Sequence, residues 1–251
     1  MRPILLLILC ATPCALAGSF EGTARDPGSG KVLYVETHYV FDADSPAESR
    51  IVLYRCARDG QPFARKELRY DASRRAPSFA MDDARSGFAE GLERVAGTAT
   101  VFARAGARAP RRSAPITDPA LIADAGFDEF VRTHWDELQR GTALDAPFLV
   151  PSMLDSVGFR VRKTATVRVD GADTSVIRLS VAGPLGWFLS DIDVSYRDAD
   201  RRLVSYSGLT NIRDPRGKML TARIDFPDDG RREVTPPIAE LRALPLASAC
   251  R

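Results

Sequence analysis

Histidine, lysine and asparagine are nearly missing from this 251-residue chain, which holds two histidines (His38 and His134), four lysines and a single asparagine, Asn211. A zinc site draws three or four His, Cys or carboxylate ligands, and neither a Cys-x-x-Cys nor a His-Glu-x-x-His motif is present, so no metal is assigned. The Gly-x-Ser-x-Gly elbow is absent too, and neither Cys56 nor Cys250 stands in a thiol-nucleophile motif. No catalytic residue and no cofactor are therefore assigned. The enzymatic reading that remains is a hydrolase whose triad assembles from distant residues. Charge of one sign is lacking as well, with 35 Lys and Arg against 33 Asp and Glu. The arginines are scattered and form no stripe, which removes the electrostatic case for nucleic acid. The acidic pairs Asp82-Asp83, Asp191/Asp193 and Asp228-Asp229 lack calcium-loop spacing and read as solvated turn and edge charges.

Long hydrophobic runs are missing except at the start. Arg2-Pro3, the apolar Ile4 to Leu9 and the small-x-small Ala15-Leu16-Ala17 predict a secretory signal peptide over residues 1–17, cleaved after Ala17. Cleavage removes Cys10 and Cys14, which are not lipidation sites because Leu9 and Pro13 precede them where a small residue is needed. No later stretch reaches the roughly 18 apolar residues of a membrane-spanning helix, so the mature chain is expected to be soluble and periplasmic. Cys56 and Cys250 remain. In an oxidising compartment they either pair, closing a loop worth about 5 kcal/mol in the chain-entropy model, or stay as a buried and a loose thiol.

What the chain has in quantity is period-two alternation. Leu33, Val35, Thr37, Tyr39 and Phe41 put apolar groups on one face, with Glu36 and His38 on the other. Similar runs cover 50–56, 63–70, 87–95 and 98–104, separated by turn signals such as Asp59-Gly60 and Ala96-Gly97. Phe127, Phe130, Val131, His134, Trp135 and Leu138 then follow helical spacing, with Gly141 as a stop. Strands resume over 148–151, 157–164, 166–170, 175–181, 192–197, 202–207 and 219–226, and Asp170-Gly171 marks a hairpin. These features predict an α+β fold, a large curved antiparallel sheet like an unclosed β-barrel wrapping one main amphipathic helix. The expected division is a single β-rich domain over 18–226 and a weakly structured tail over 227–251.

Two irregular segments and the helix supply the candidate ligand contacts. Gly and Pro break the apolar stretch 182–189, where Trp187 and Phe188 either line the mouth of a greasy pocket or plug one end of the sheet. In segment 207–218, Asn211 either contacts a ligand or holds a turn, and Asp214-Pro215-Arg216-Gly217 has strong turn chemistry. His134 and Trp135 share the helix stripe, where His134 reads first as a hydrogen-bonded structural imidazole. The candidate ligand-binding residues are thus Trp135, His134, Trp187, Phe188 and Asn211.

Phe63-Ala64-Arg65-Lys66, the stretch from Asp83 to Gly91, the stretch from Ala125 to Val131, Gly186-Trp187-Phe188 and the stretch from Gly208 to Asp214 carry a further signal. Through them the chain resembles a group of uncharacterised exported proteins of Gram-negative bacteria, which brings no assigned activity. In architecture alone the pattern is similar to the unclosed β-barrel of periplasmic lipoprotein carriers, which implies a hydrophobic cavity. The expected function is binding of a hydrophobic molecule or lipid on the concave sheet face. The alternative is a structural or assembly module acting through an envelope protein partner.

Overall fold

Alternating residues dominate the sequence, and the chain spends them on strands. The computed structural model describes residues 17–182, 191–233 and 235–251. Within these, fourteen strands join in one antiparallel sheet. The first eight are β1 (Gly18–Arg25), β2 (Val32–Phe41), β3 (Ser49–Cys56), β4 (Pro62–Arg69), β5 (Ser78–Asp83), β6 (Phe88–Val95), β7 (Thr98–Arg104) and β8 (Arg112–Pro115). After α1 (Gly126–Thr133) and α2 (Trp135–Gln139) come β9 (Leu144–Val150), β10 (Asp155–Val169), β11 (Ala172–Val181), β12 (Ile192–Arg197), β13 (Arg202–Arg213) and β14 (Met219–Asp225). A short α3 (Ile238–Ala243) follows.

Every strand pairs with its neighbour in sequence except β8 with β9. β1 pairs with β14, so the first and last strands meet in the middle of the sheet, and β8 and β9 are left as its two edges. Pairing of β8 with β9 would close a barrel. Instead the connection between them carries α1 and α2 and packs along the gap. Ile122 bridges Phe148 in parallel, and Arg112 Nη2 donates 2.8 Å to the Ser152 carbonyl. Turn chemistry sets the register on the way: Asp170 (φ 50°) and Gly171 (φ 80°) make the left-handed pair of a tight hairpin between β10 and β11.

Apolar side chains collect in three places. The inner face of β1 to β7 and β13–β14 forms the main cluster, with Phe63, Leu68, Met81 and Leu92 fully buried. Phe127, Phe130, Val131, Trp135 and Leu138 pack α1 and α2 onto Val161, Ile177, Val194 and Tyr196 of β10–β12. On the opposite, convex face Leu241 of α3 covers Ile51 and Leu53, joined by Tyr39 and Phe41. Each such large side chain stabilises the fold by about 1.5–3 kcal/mol when fully buried.

The structure corrects several expectations. The protein is mostly β, and the single helix expected over 127–138 is two, because the backbone at His134 (φ −101°, ψ 19°) leaves helical geometry between α1 and α2. The expected strands 157–164 and 166–170 are one strand, β10, continuous through an irregularity between Lys163 and Ala165. Segment 207–213 belongs to β13, and only Asp214 to Gly217 turn. The stretch 227–251, expected to hang as a weakly anchored tail, carries α3. It is held by the Cys56–Cys250 disulfide (Cα–Cα 5.4 Å), by Arg65 donating to the carbonyls of Arg242 and Leu244, and by the Arg242–Glu67 ion pair at 2.8 Å. Burying Leu241 against Ile51 and Leu53 gives that stretch the apolar contact its Pro-rich approach did not advertise.

Candidate functional site

Residues directly opposite one another in a sheet share a face, so the register fixes what points inward. Phe20, His38, Val52, Lys66, Met81 and Glu90 stand in one cross-strand row from β1 to β6. A second row brings Glu36 opposite Tyr54. The alternation in β2 thus runs opposite to the simplest reading: Glu36 and His38 face the hollow of the sheet, while Tyr39 and Phe41 face α3.

That hollow is a cavity of about 560 Å³ lined by residues from both halves of the sheet and from segment 124–128. Its apolar wall comes from side chains such as Phe148, Phe159, Leu179, Val181, Ile192 and Leu203. Met153 and Met219 line it and are 60% and 38% exposed, which marks where it meets solvent.

Polar groups gather where segment 124–128 meets β4. Lys66 Nζ lies 2.8 and 2.9 Å from the two carboxylate oxygens of Asp124, whose backbone is left-handed at φ 48°. Asp tolerates that conformation better than most residues, and the ion pair holds it there. Burial works against charge on Lys66, but Asp124 and Tyr54 outweigh it and leave the ammonium more firmly protonated than usual. Burial likewise pushes the Tyr34 and Tyr54 phenols up, so both stay neutral. Glu36 Oε1 sits 2.9 Å from His38 Nε2, and Phe20 stacks on the imidazole at 4.5 Å. Tyr196 Oη donates 2.7 Å to Asp128 Oδ1, and Arg50 pairs with Glu48 at 2.7 Å.

Three groups of the lining lack a partner among the described residues, the buried Nε of Arg213 being one of them. Glu90 is 8% exposed and makes no hydrogen bond or ion pair. Burial, reinforced by Asp124 and opposed by Arg213 and Lys66, raises its carboxyl to about 7. The Tyr34 hydroxyl, also facing the cavity, is buried with no hydrogen-bond partner.

Of the residues singled out from sequence, Asn211 lines the cavity. His134 and Trp135 do not: His134 Nδ1 meets Glu137 at 2.8 Å and its ring leans on Phe130, while Trp135 is buried between the helices and β10–β12 with Arg201 over its ring. Trp187 and Phe188 lie outside the described residues. Sequence reasoning passed over Lys66, Glu90, Glu36 and Asp124. A usable signal was present, since Lys66 interrupts the apolar face of Ala64 and Leu68, and Glu90 that of Phe88 and Leu92. A charge at such a position is either paired or poised for a ligand.

No family model and no curated protein matches the chain. Among solved structures it is similar to a β-barrel-like protein of a domain of unknown function, DUF1849, from Brucella abortus, at 10% identity over 85% of this chain and 98% of that one, with a TM-score of 0.49. A DUF1329 family protein from Desulfovibrio piger is similar at 12% identity over 93% of each chain, with a TM-score of 0.31. A putative outer membrane lipoprotein-sorting protein domain from Vibrio parahaemolyticus aligns at 8% identity over 86% of this chain and 84% of that one, with a TM-score of 0.25. None of them lends this chain a ligand or an activity.

Proposed function

We propose that the protein is a soluble periplasmic binding protein that carries a hydrophobic molecule, an acyl chain or lipid, in the hollow of its sheet. The observation that carries this reading is the cavity of about 560 Å³, inside the roughly 300–1,000 Å³ span of small-molecule sites. A structural module would fill the same space with its own side chains. Shielding an alkyl chain there removes apolar surface from water, worth about 25 cal/mol for each Å². The disulfide agrees with an oxidising compartment, and among the described residues no helix is long and apolar enough to cross a membrane. In this reading Asn211 is a polar wall contact, while His134 and Trp135 support the wall from behind.

Native mass spectrometry of protein purified from periplasm tests the reading. Adducts that extract into organic solvent and that compete with a fluorescent alkyl probe are the expected result. Repeated preparations with neither adduct nor probe binding would exclude it and favour the envelope-partner module, which in-cell crosslinking would then identify.

A further inference from the structure

We propose that the cargo is an amphiphile whose head is a protonated amine, seated on the Glu90 carboxylate while its chain lies along the apolar wall of the cavity. The inference rests on the hydrophobic-cargo reading and adds the chemistry of the head.

The carboxylates of the cavity are not evenly matched. Asp124 has Lys66, Glu36 has the His38 ring, and Asp128 receives the Tyr196 hydroxyl with Arg50 at 3.9 Å. Glu90, on the same inner row as Lys66 and more than nine-tenths buried, has nothing among the described residues. An unpaired buried carboxyl costs free energy whether it ionises or stays protonated, and a ligand that donates charged hydrogen bonds removes that cost. The charged groups facing it are Asp124 from the segment before α1, Lys66 from β4 and Arg213 from β13. Lys66 is already committed to Asp124, and Arg213 gives Nη1 to the Gly217 carbonyl and lies 4.2 Å over the Phe88 ring, with its Nε buried and unpartnered and no ion pair to Glu90. With Asp124 answered by Lys66 and Glu36 by the His38 ring, Glu90 is the carboxyl of the lining left for a ligand's cation, and an anionic head set beside it would add repulsion.

Only ionised Glu90 would hold an ammonium, so binding is coupled to loss of its proton. With the free carboxyl titrating at about 7, the competent fraction, and with it the affinity, rises roughly tenfold between about pH 6 and about pH 8.

The test uses the full mature protein, disulfide intact and stripped of lipid, with dodecylammonium, dodecanol and dodecanoate competing against a fluorescent alkyl probe below their micelle concentrations. Dodecylammonium should bind at least about tenfold tighter than dodecanol at neutral pH, in keeping with a charged hydrogen bond. Dodecanoate should bind weakest. Glu90→Gln should erase both the amine preference and the pH slope. Equal binding of amine and alcohol, or tightest binding of the carboxylate, would overturn the head-group assignment and leave the cavity reading standing. A pH slope that survives in Glu90→Gln would overturn it too. Failure of every alkyl chain to bind would overturn both. The head-group series runs on the wild-type protein and does not depend on any variant folding.

Discussion

At the scale of single residues, the inner face is defined by where charge has been allowed into an apolar row. Glu90 makes the clearest prediction for the free protein. Its folded carboxyl titrates at about 7, above the roughly 4.3 of an unfolded glutamate, so the native state holds a proton that the unfolded chain has lost. Stability therefore falls as pH rises from about 4 towards about 7 and stays low above it, by up to about 4 kcal/mol from this one group. Glu90→Gln should abolish that loss, raising the urea midpoint relative to wild type at about pH 8 and leaving the two close at about pH 4; a constant offset across the range would contradict the assignment. Lys66 gives the opposite kind of result. Lys66→Met leaves Asp124 charged and unpaired in a buried site and should cost about 3–5 kcal/mol, much of it recovered in Lys66→Met/Asp124→Asn, where no charge remains and Asn still tolerates the left-handed backbone. Chemical denaturation of the single and double variants reads both numbers. Lys66 and Glu90 were legible as charges on apolar faces, but their meeting with Asp124, 58 residues beyond Lys66, depends on a crossing that no local pattern reveals.

At the scale of elements, legibility followed the strength of the alternation. β2, β3, β4, β7, β11 and β12 carry clear period-two runs and stand close to where the sequence places them. β1, β5 and β8 escaped because their residues are small, polar or few, and β8 is a four-residue, largely exposed edge with no buried face to pattern. Those strands exist because their neighbours in the sheet need partners. Alternation also could not say which face was inside, since both faces of β2 to β4 are covered, one by the cavity groups and one by α3. The helix stripe was legible and its interruption was not. Position and tilt of α1 rest on Gly126, where an added Cβ would stand 1.9 Å from the Arg75 carbonyl oxygen. That oxygen already accepts from the Ala123 amide at 3.0 Å, so it is not free to move. Gly126→Ala should push α1 away from the Ser73–Ala76 loop and cost about 1–3 kcal/mol. It should also weaken alkyl-probe binding, because Asp124 and Asp128 move with the helix; a variant with wild-type denaturation and wild-type probe affinity would show the contact to be slack.

At the scale of the whole molecule, the open sheet raises the question of what keeps it from uncurling. The β1–β14 pairing joins its halves, and the β8–β9 gap is spanned by the helical connection. The last residues act as a strap: α3 lies over the convex face of β2 to β4, and the Cys56–Cys250 bond ties Cys250 to the end of β3, where Cys56 joins the inner cluster, across a separation of 194 residues. The bridge limits the unfolded chain more than it adds contacts to the folded one. In that model a loop of this length is worth about 5 kcal/mol, and removing native bridges costs about 2–5 kcal/mol in practice. Cys56→Ser/Cys250→Ser should therefore lower stability within that range while leaving the sheet intact, because the apolar contacts of Leu241 and the Arg65 bonds to the Arg242 and Leu244 carbonyls remain. Held only by those, the strap opens more often than the sheet unfolds, and hydrogen exchange should quicken first at Ile238–Ala243 and along the convex face of β3 and β4. The cavity lies on the other side of the same strands, so alkyl-probe affinity should change little at temperatures where the sheet stays folded. Loss of probe binding in the double variant at such temperatures, with exchange unchanged at α3, would mean that the bridge shapes the cavity directly and that the strap is not an independent unit.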